Sequence, residues 1–260
     1  MIFLIEIGDY VTRNSYHNDI YFKIISIQQD IAYLKGMDFR LYADASLSDL
    51  KIENHESDDD SILERSLKDM EIDRDNYFYL PGKILHIDGD TDYLDRCMRF
   101  YQFLGIHANG ITIQEKDISS KIYSLLMDYH PDIVVITGHD SFYSKKKDIQ
   151  DLHNYENSSN FMKAIEEARR YERNQDKLII IAGACQSNYE SLIKAAANFA
   201  SSPKRINIHA LDPAIIASSI AFSDRSKSID LMKLLSKTKY GSDGIGGLIT
   251  NGTMYVGYPR

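Results

Sequence analysis

From residue 83 onward, short apolar runs alternate with segments in which apolar residues recur every third or fourth position. The runs Lys83–Ile87, Ile106–Ile113, Asp132–Thr137, Leu178–Ala182 and Ile206–Leu211 predict five strands. Between them, Leu94, Cys97, Met98, Tyr101 and Leu104 share one helical face, closed by Gly105, and Ile118, Ile122, Leu125, Leu126 and Tyr129 share another. Phe161–Tyr171 and the alanine-rich Tyr189–Ala200 predict two further helices. Ile133–Ile136 and Ile179–Ile181 are apolar at every position, so both faces of those strands must be covered. The alternation therefore predicts an α/β fold, a parallel sheet flanked by helices, with Gly244–Tyr258 as a closing hairpin or edge strand.

The first fifty residues carry a different pattern. Ile2–Ile7, Tyr21–Ile27 and Ile31–Lys35 are β-rich runs broken at Gly8-Asp9, Asn18-Asp19 and Gly36. They predict a small SH3-like β-barrel domain over residues 1–50, with Met1–Ile5 as strand rather than leader and Arg13, Lys23, Lys35 and Arg40 as ordinary surface charge. Residues 51–76 hold ten acids and four bases, −6 of the chain's net −8. So charged a stretch repels itself and buries little, and is expected to be an acidic linker. Ile62, Leu63, Leu67 and Met70 would allow one short amphipathic helix inside it. The α/β domain then spans residues 77–260.

Composition narrows the function. At 260 residues, 43% hydrophobic and 26% charged, the chain can bury a real core. Thirty bases against 38 acids exclude a basic duplex-DNA face, so no nucleic-acid partner is expected. No apolar run approaches the roughly 18–20 residues of a membrane span, so no membrane partner is expected either. The two cysteines, Cys97 and Cys185, make no disulfide framework and point to a reducing cytoplasm. With scattered histidines they also make no metal cage, so neither a metal nor a cofactor is expected.

In an open α/β sheet, chemistry sits at the carboxyl ends of the strands. His86-Ile87-Asp88-Gly89-Asp90 ends the first strand, Gly138-His139-Asp140-Ser141 follows the third, Gly183-Ala184-Cys185-Gln186-Ser187 the fourth and Asp212-Pro213 the fifth. A thiol and an imidazole thus leave neighbouring strands at one edge, the arrangement nucleophilic cysteine catalysis needs. Gly-Ala-Cys-Gln closes an apolar strand with a histidine 46 residues upstream, close to the caspase pattern of a strand-end cysteine and a histidine about 50 residues earlier. Cys185 is read as nucleophile and His139 as its base. An oxyanion hole is expected from the Cys185 amide and one near Gly138 or Asp140, with Gly183 and Gln186 shaping the turn; Asp140 is also a candidate to orient the imidazole. Cys97, on an apolar helix face, is read as core.

Several long motifs resemble the YabG family of sporulation-specific peptidases: Tyr79–Asp90, Val135–Ser141, Ala182–Ser187, and Ala197–Pro203 through His209–Pro213. The resemblance runs from Ile7-Gly8-Asp9 to the C-terminal hairpin. It implies a mother-cell enzyme, associated with the forming spore coat, that trims coat and related sporulation proteins; those proteins are the partners it implies, and self-association stays open. The wider similarity is to caspase-like cysteine peptidases of clan CD, hence a three-layer caspase-like sandwich. Those enzymes usually carry His-Gly, whereas here Asp140 follows the histidine. Asp212 is a candidate primary-pocket carboxylate favouring Arg before the cut, or equally an Asp that starts a turn before Pro213. His86, Asp88 and Asp90 are expected to shape the substrate cleft or pair with a nearby turn.

Two rival functions fit parts of the sequence. Ile84–Asp90 resembles the strand-then-Asp-x-Asp opening of haloacid-dehalogenase-type, Mg-dependent phosphohydrolases, with Asp88 and Asp90 as the carboxylates; the usual Thr two places on is Asp92 here, with Thr91 one early. A non-enzymatic coat scaffold would use the β domain for assembly and leave Cys185 unreactive toward thiol probes.

Overall fold

The computed structural model describes residues 5–68, 76–143 and 148–259. The chain divides into two compact units, with the boundary after Ile62.

The first unit is one antiparallel sheet of five strands, β1 (Tyr10–Arg13), β2 (Phe22–Gln28), β3 (Ile31–Gly36), β4 (Tyr42–Ser46) and β5 (Leu50–Ile52). Their order is β4-β3-β2-β1-β5, so the last strand returns beside the first. Val11, Phe22, Ile24, Ala32 and Leu34 alternate inward and form its core. Residues 5–7 lie outside any strand, and the start of the expected Ile2–Ile7 strand lies outside the described residues. Arg40 is 1% exposed, not the surface charge expected of it.

The acidic stretch is more structured than a linker. Lys51 and Ile52 belong to β5. His55 folds back on the first unit, bonded to Asp38 at 2.9 Å and stacked near Tyr10 and Tyr21. Asp59–Lys68 is a helix, α1, with Asp59 and Asp60 in its first turn, where the helix dipole favours carboxylates. Ile62 is buried in it, while Met70 lies outside the described residues.

The second unit runs β6 (Phe78–Leu80), β7 (Ile84–Asp88), α2 (Thr91–Phe103), β8 (Ala108–Thr112), α3 (Glu115–Tyr129), β9 (Ile133–Thr137), α4 (Ser158–Tyr171), β10 (Ile179–Ala182), α5 (Tyr189–Lys194), β11 (Phe199–Ser201), α6 (Asp212–Ala221), α7 (Leu231–Leu235), β12 (Ile245–Gly247) and β13 (Tyr255–Gly257). Six strands form one mixed sheet in the order β12-β11-β10-β9-β7-β8, parallel except for β12, which closes the edge antiparallel to β11. β13 pairs separately with β6. The tail is therefore an edge strand plus a ribbon, not a hairpin.

Every residue of β7, β9 and β10 is buried, as the unbroken apolar runs of β9 and β10 require; β7 buries His86 and Asp88 as well. Leu85, Ile87, Val134, Ile136, Ile180 and Ala182 pack into one core with Ile118, Ile122 and Leu126 of α3 and Phe161 and Ile165 of α4. Helices α2 and α6 pack against the sheet and against each other. Each such aliphatic side chain contributes about 1.5–3 kcal/mol on burial, so the sheet is the rigid frame of the unit.

Two expectations on the C-terminal side change. Ile206–Leu211 is not a strand; the fifth parallel strand is β11, at the end of the expected helix 189–200. That helix stops at Lys194, and Ala196 takes a left-handed φ of 74°. Asn198 then accepts the Ile180 amide on its side-chain oxygen, which seats β11 against β10. The same oxygen takes the buried guanidinium of Arg169, which also donates to the carbonyls of Ala196 and Leu178. Burial brings the Arg169 pKa down to about 10, against the pull of the Glu172 charge the other way. Among the described residues no helix is long and apolar enough to cross a membrane.

Candidate active site

The chain steps from β7 outward to β8 and then back across to β9, so the strand order reverses between β7 and β9. A crevice opens at such a reversal, at the carboxyl ends of the strands. Asp88 and Thr137 are register partners there, and two residues further on stand Asp90 and His139. On the other side of β9, Ile136 is the register partner of Ala182, and three residues beyond each come His139 and Cys185. Asp90, His139 and Cys185 thus leave three adjacent parallel strands at one level.

Asp90 has two jobs. One oxygen caps α2, accepting the amides of Asp92 at 3.0 Å and Tyr93 at 3.4 Å. The other lies 3.2 Å from His139 Nε2. The imidazole is partly exposed and has the Tyr93 ring beside it, 5.7 Å between centroids. Its backbone is held twice: its amide donates to Glu115 Oε1 at 2.7 Å, and its carbonyl accepts from Asn157 Nδ2 at 3.0 Å.

Asp140 does not point at the imidazole. Its carboxylate accepts the amides of Ser141 and Asn157 and the hydroxyls of Ser158 and Ser187, tying the His139 turn to α4 and to the turn after Cys185. Burial pushes its carboxyl above the usual value, and those four hydrogen bonds pull the other way.

Cys185 is enclosed. Its sulfur accepts the amide of Ile208 at 3.3 Å and lies 3.8 Å from the Ile208 carbonyl. The irregular segment 202–211 therefore passes over the thiol. Gln186 anchors it: the Gln186 amide donates to Ser202 Oγ and the Ile206 carbonyl, and its side chain joins Phe142 N to Asn207. Gln186 adopts a left-handed φ of 59°, uncommon outside glycine. Gly183, at φ 105°, has no room for a side chain: an added Cβ would sit 2.9 Å from Leu192 Cδ1. Arg205 pins the segment from outside by bonding Tyr155 Oη, the Glu190 carboxylate and the Ser202 carbonyl.

His86 and Asp88 lie inside the fold. His86 joins Tyr101 Oη at 3.0 Å to Thr137 Oγ1 at 2.8 Å; Thr137 donates to Asp88, and Asp88 accepts the Asp90 amide at 2.9 Å. Both side chains are fully buried, so of their two expected placements they take the pairing with a nearby turn, not a cleft wall. The same burial removes Asp88 as a phosphohydrolase nucleophile. Asp212 opens α6 instead of ending a strand. It is 1% exposed, and its two oxygens accept the amides of His209 and Lys239, so it lines no open pocket. Burial raises its carboxyl above the usual range. The basic run Lys145-Lys146-Lys147 that follows the His139 turn in sequence, expected to be a solvated loop, lies outside the described residues.

Sequence reasoning missed Glu115, Ile208 and the contact of Asp90 with His139. Glu115 was legible in principle, because Gln114-Glu115 directly follows the second strand and so belongs to the same sheet edge. Ile208 was hidden by being taken for strand.

Comparison with known proteins places the chain among peptidases. The family model of YabG peptidase U57 matches residues 6–69 and 54–259. The chain belongs to the YabG peptidase family. Over a 283-residue alignment covering 98% of each chain, it is 40% identical to the sporulation-specific protease YabG of Bacillus subtilis (strain 168).

Proposed function

We propose that the chain is a cysteine endopeptidase that processes spore coat and related sporulation proteins, with Cys185 as nucleophile and His139 as general acid and base. The observation that carries this reading is the register of β9 and β10, which sets imidazole and thiol three residues past paired strand positions. Similarity across nearly the whole length of the Bacillus subtilis relative supports the same cellular process, hence a mother-cell enzyme working at the forming coat. The caspase-like reading of the α/β unit and the SH3-like reading of the N-terminal sheet belong to the same proposal.

In this reading Asp90 takes Nε2 of His139 and leaves the other ring nitrogen to the sulfur. The thiolate attacks the scissile carbonyl, and the C=O electron pair moves onto oxygen. The Cys185 and Asp140 amides hold that oxyanion, since Glu115 already occupies the His139 amide. The C–N bond breaks as imidazolium gives its proton to the departing amine. Water, deprotonated by His139, then cleaves the thioester and restores the thiol. Segment 202–211 withdraws from the sulfur before a polypeptide enters. Cleavage after a basic residue, Arg, remains part of the proposal, but Asp212, the carboxylate expected to favour it, is buried and lines no open pocket. A peptide library cleaved equally well without Arg or Lys removes that specificity.

The test is to incubate wild type, Cys185→Ala and His139→Ala with a coat-protein extract and map new amino termini. Both variants should lose at least about a thousandfold of turnover while keeping the fold. Wild-type cutting by Cys185→Ala refutes the assignment.

A further inference from the structure

We propose that Glu115 is a positioning residue of this site: a buried carboxylate that fixes the backbone of both strand ends, and so sets where the His139 imidazole can reach. The inference rests on the reading of His139 as the catalytic base. Glu115 is the first residue of α3 and only 8% exposed. A carboxylate in so confined a place costs free energy unless hydrogen bonds offset its lost hydration. Its Oε1 accepts the His139 amide at 2.7 Å.

The space it fills is made by two glycines. Gly89 directly precedes Asp90 and Gly138 directly precedes His139. A Cβ added to Gly89 would stand 2.2 Å from Glu115 Oε1, and one added to Gly138 would stand 2.3 Å from the same atom. Both approaches are far inside van der Waals contact, so the carboxylate fits only because both positions lack side chains. One oxygen thus rests against the backbones that carry the imidazole and its aspartate partner. Gln114, the neighbouring residue, adds a bond from its side-chain amide to the Gly89 carbonyl at 3.3 Å. Glu115 touches no reacting atom in this arrangement; it acts through the His139 peptide, and what it controls is distance and direction.

Such control appears in turnover more than in substrate affinity. On a peptide spanning one mapped cut site, Glu115→Ala should lower kcat about tenfold to a hundredfold, with KM changed by less than about threefold. Glu115→Gln keeps the acceptor oxygen and should stay within about threefold of wild-type kcat. Gly138→Ala, which expels the carboxylate by another route, should reproduce the Glu115→Ala loss. Thermal unfolding is measured on each; if Glu115→Ala does not fold, Gly138→Ala and Glu115→Gln carry the comparison. Wild-type kcat in Glu115→Ala or Gly138→Ala overturns the proposal, as does a Glu115→Gln variant as slow as Glu115→Ala. Cys185→Ala is run alongside: if it still cuts, the cysteine-peptidase reading falls, whereas a dead Cys185→Ala beside fully active Glu115→Ala removes only the role of Glu115.

Discussion

Asp90 and Asp140 show how position, not residue type, divides the work of two neighbouring carboxylates. Asp90 is anchored by a helix N-terminus through one oxygen and faces the imidazole with the other. Asp90→Asn retains the cap oxygen but sets an amide N–H₂ against Nε2, favouring the wrong ring tautomer. We expect kcat to fall by on the order of a hundredfold with the unfolding midpoint nearly unchanged, measured by steady-state kinetics and thermal melts. Asp140 instead cross-links turns. Its folded carboxyl is raised above the ordinary 3.8, with burial as the main cause, so between 3.8 and the raised value the native state holds a proton that the unfolded state has released. Stability from this group therefore grows as pH falls through that window. Urea midpoints should show wild type gaining on Asp140→Asn as pH is lowered from 7 toward 4; a difference that stays constant or shrinks contradicts the assignment. The sequence placed His139 and Cys185 on one sheet edge from strand ends alone. It could not divide the roles of Asp88, Asp90 and Asp140, because a carboxylate's job depends on which amides and hydroxyls the turns bring to it.

Legibility differs sharply between segments. β9 and β10 were readable because unbroken apolar runs of four or five residues have few other homes, and β7 because Ile84, Leu85 and Ile87 lie in a short run before Gly89. Helix α6 was invisible as a helix: Ala214, Ile215, Ile216, Ala217 and Ile220 are all buried, and a helix apolar all round has no periodic face to detect. β11 was absorbed into the alanine-rich run before it, since Phe199-Ala200-Ser201 has no β-branched residue to mark it. These two errors made Ile206–Leu211, part of the cover, into a strand. The cover makes its own prediction. Arg205 holds it to Tyr155 and Glu190, so Arg205→Ala should loosen it and speed alkylation of Cys185 by iodoacetamide several-fold, read by mass mapping with buried Cys97 as the internal reference. An unchanged rate would show that Arg205 does not hold the segment over the sulfur.

The period of the pattern changes between the first fifty residues and the run from residue 83, but that change does not mark where the first compact unit ends, after Ile62. A charge block of −6 looked like free chain, yet β5, the His55 contacts and α1 claim much of it. Repulsion among carboxylates forbids their mutual burial but not a helix that turns them to water. Within the α/β unit, the single reversal of strand order concentrates the candidate chemistry where three turns converge. One of those turns carries the sulfur beneath the Ile208 peptide. A thiol roofed in this way meets peroxide slowly as well as substrate, because oxidation follows the exposed thiolate. Under the proposed chemistry, Cys185 would outlast oxidising conditions while covered and be vulnerable only in the moments when the roof lifts to let a chain in.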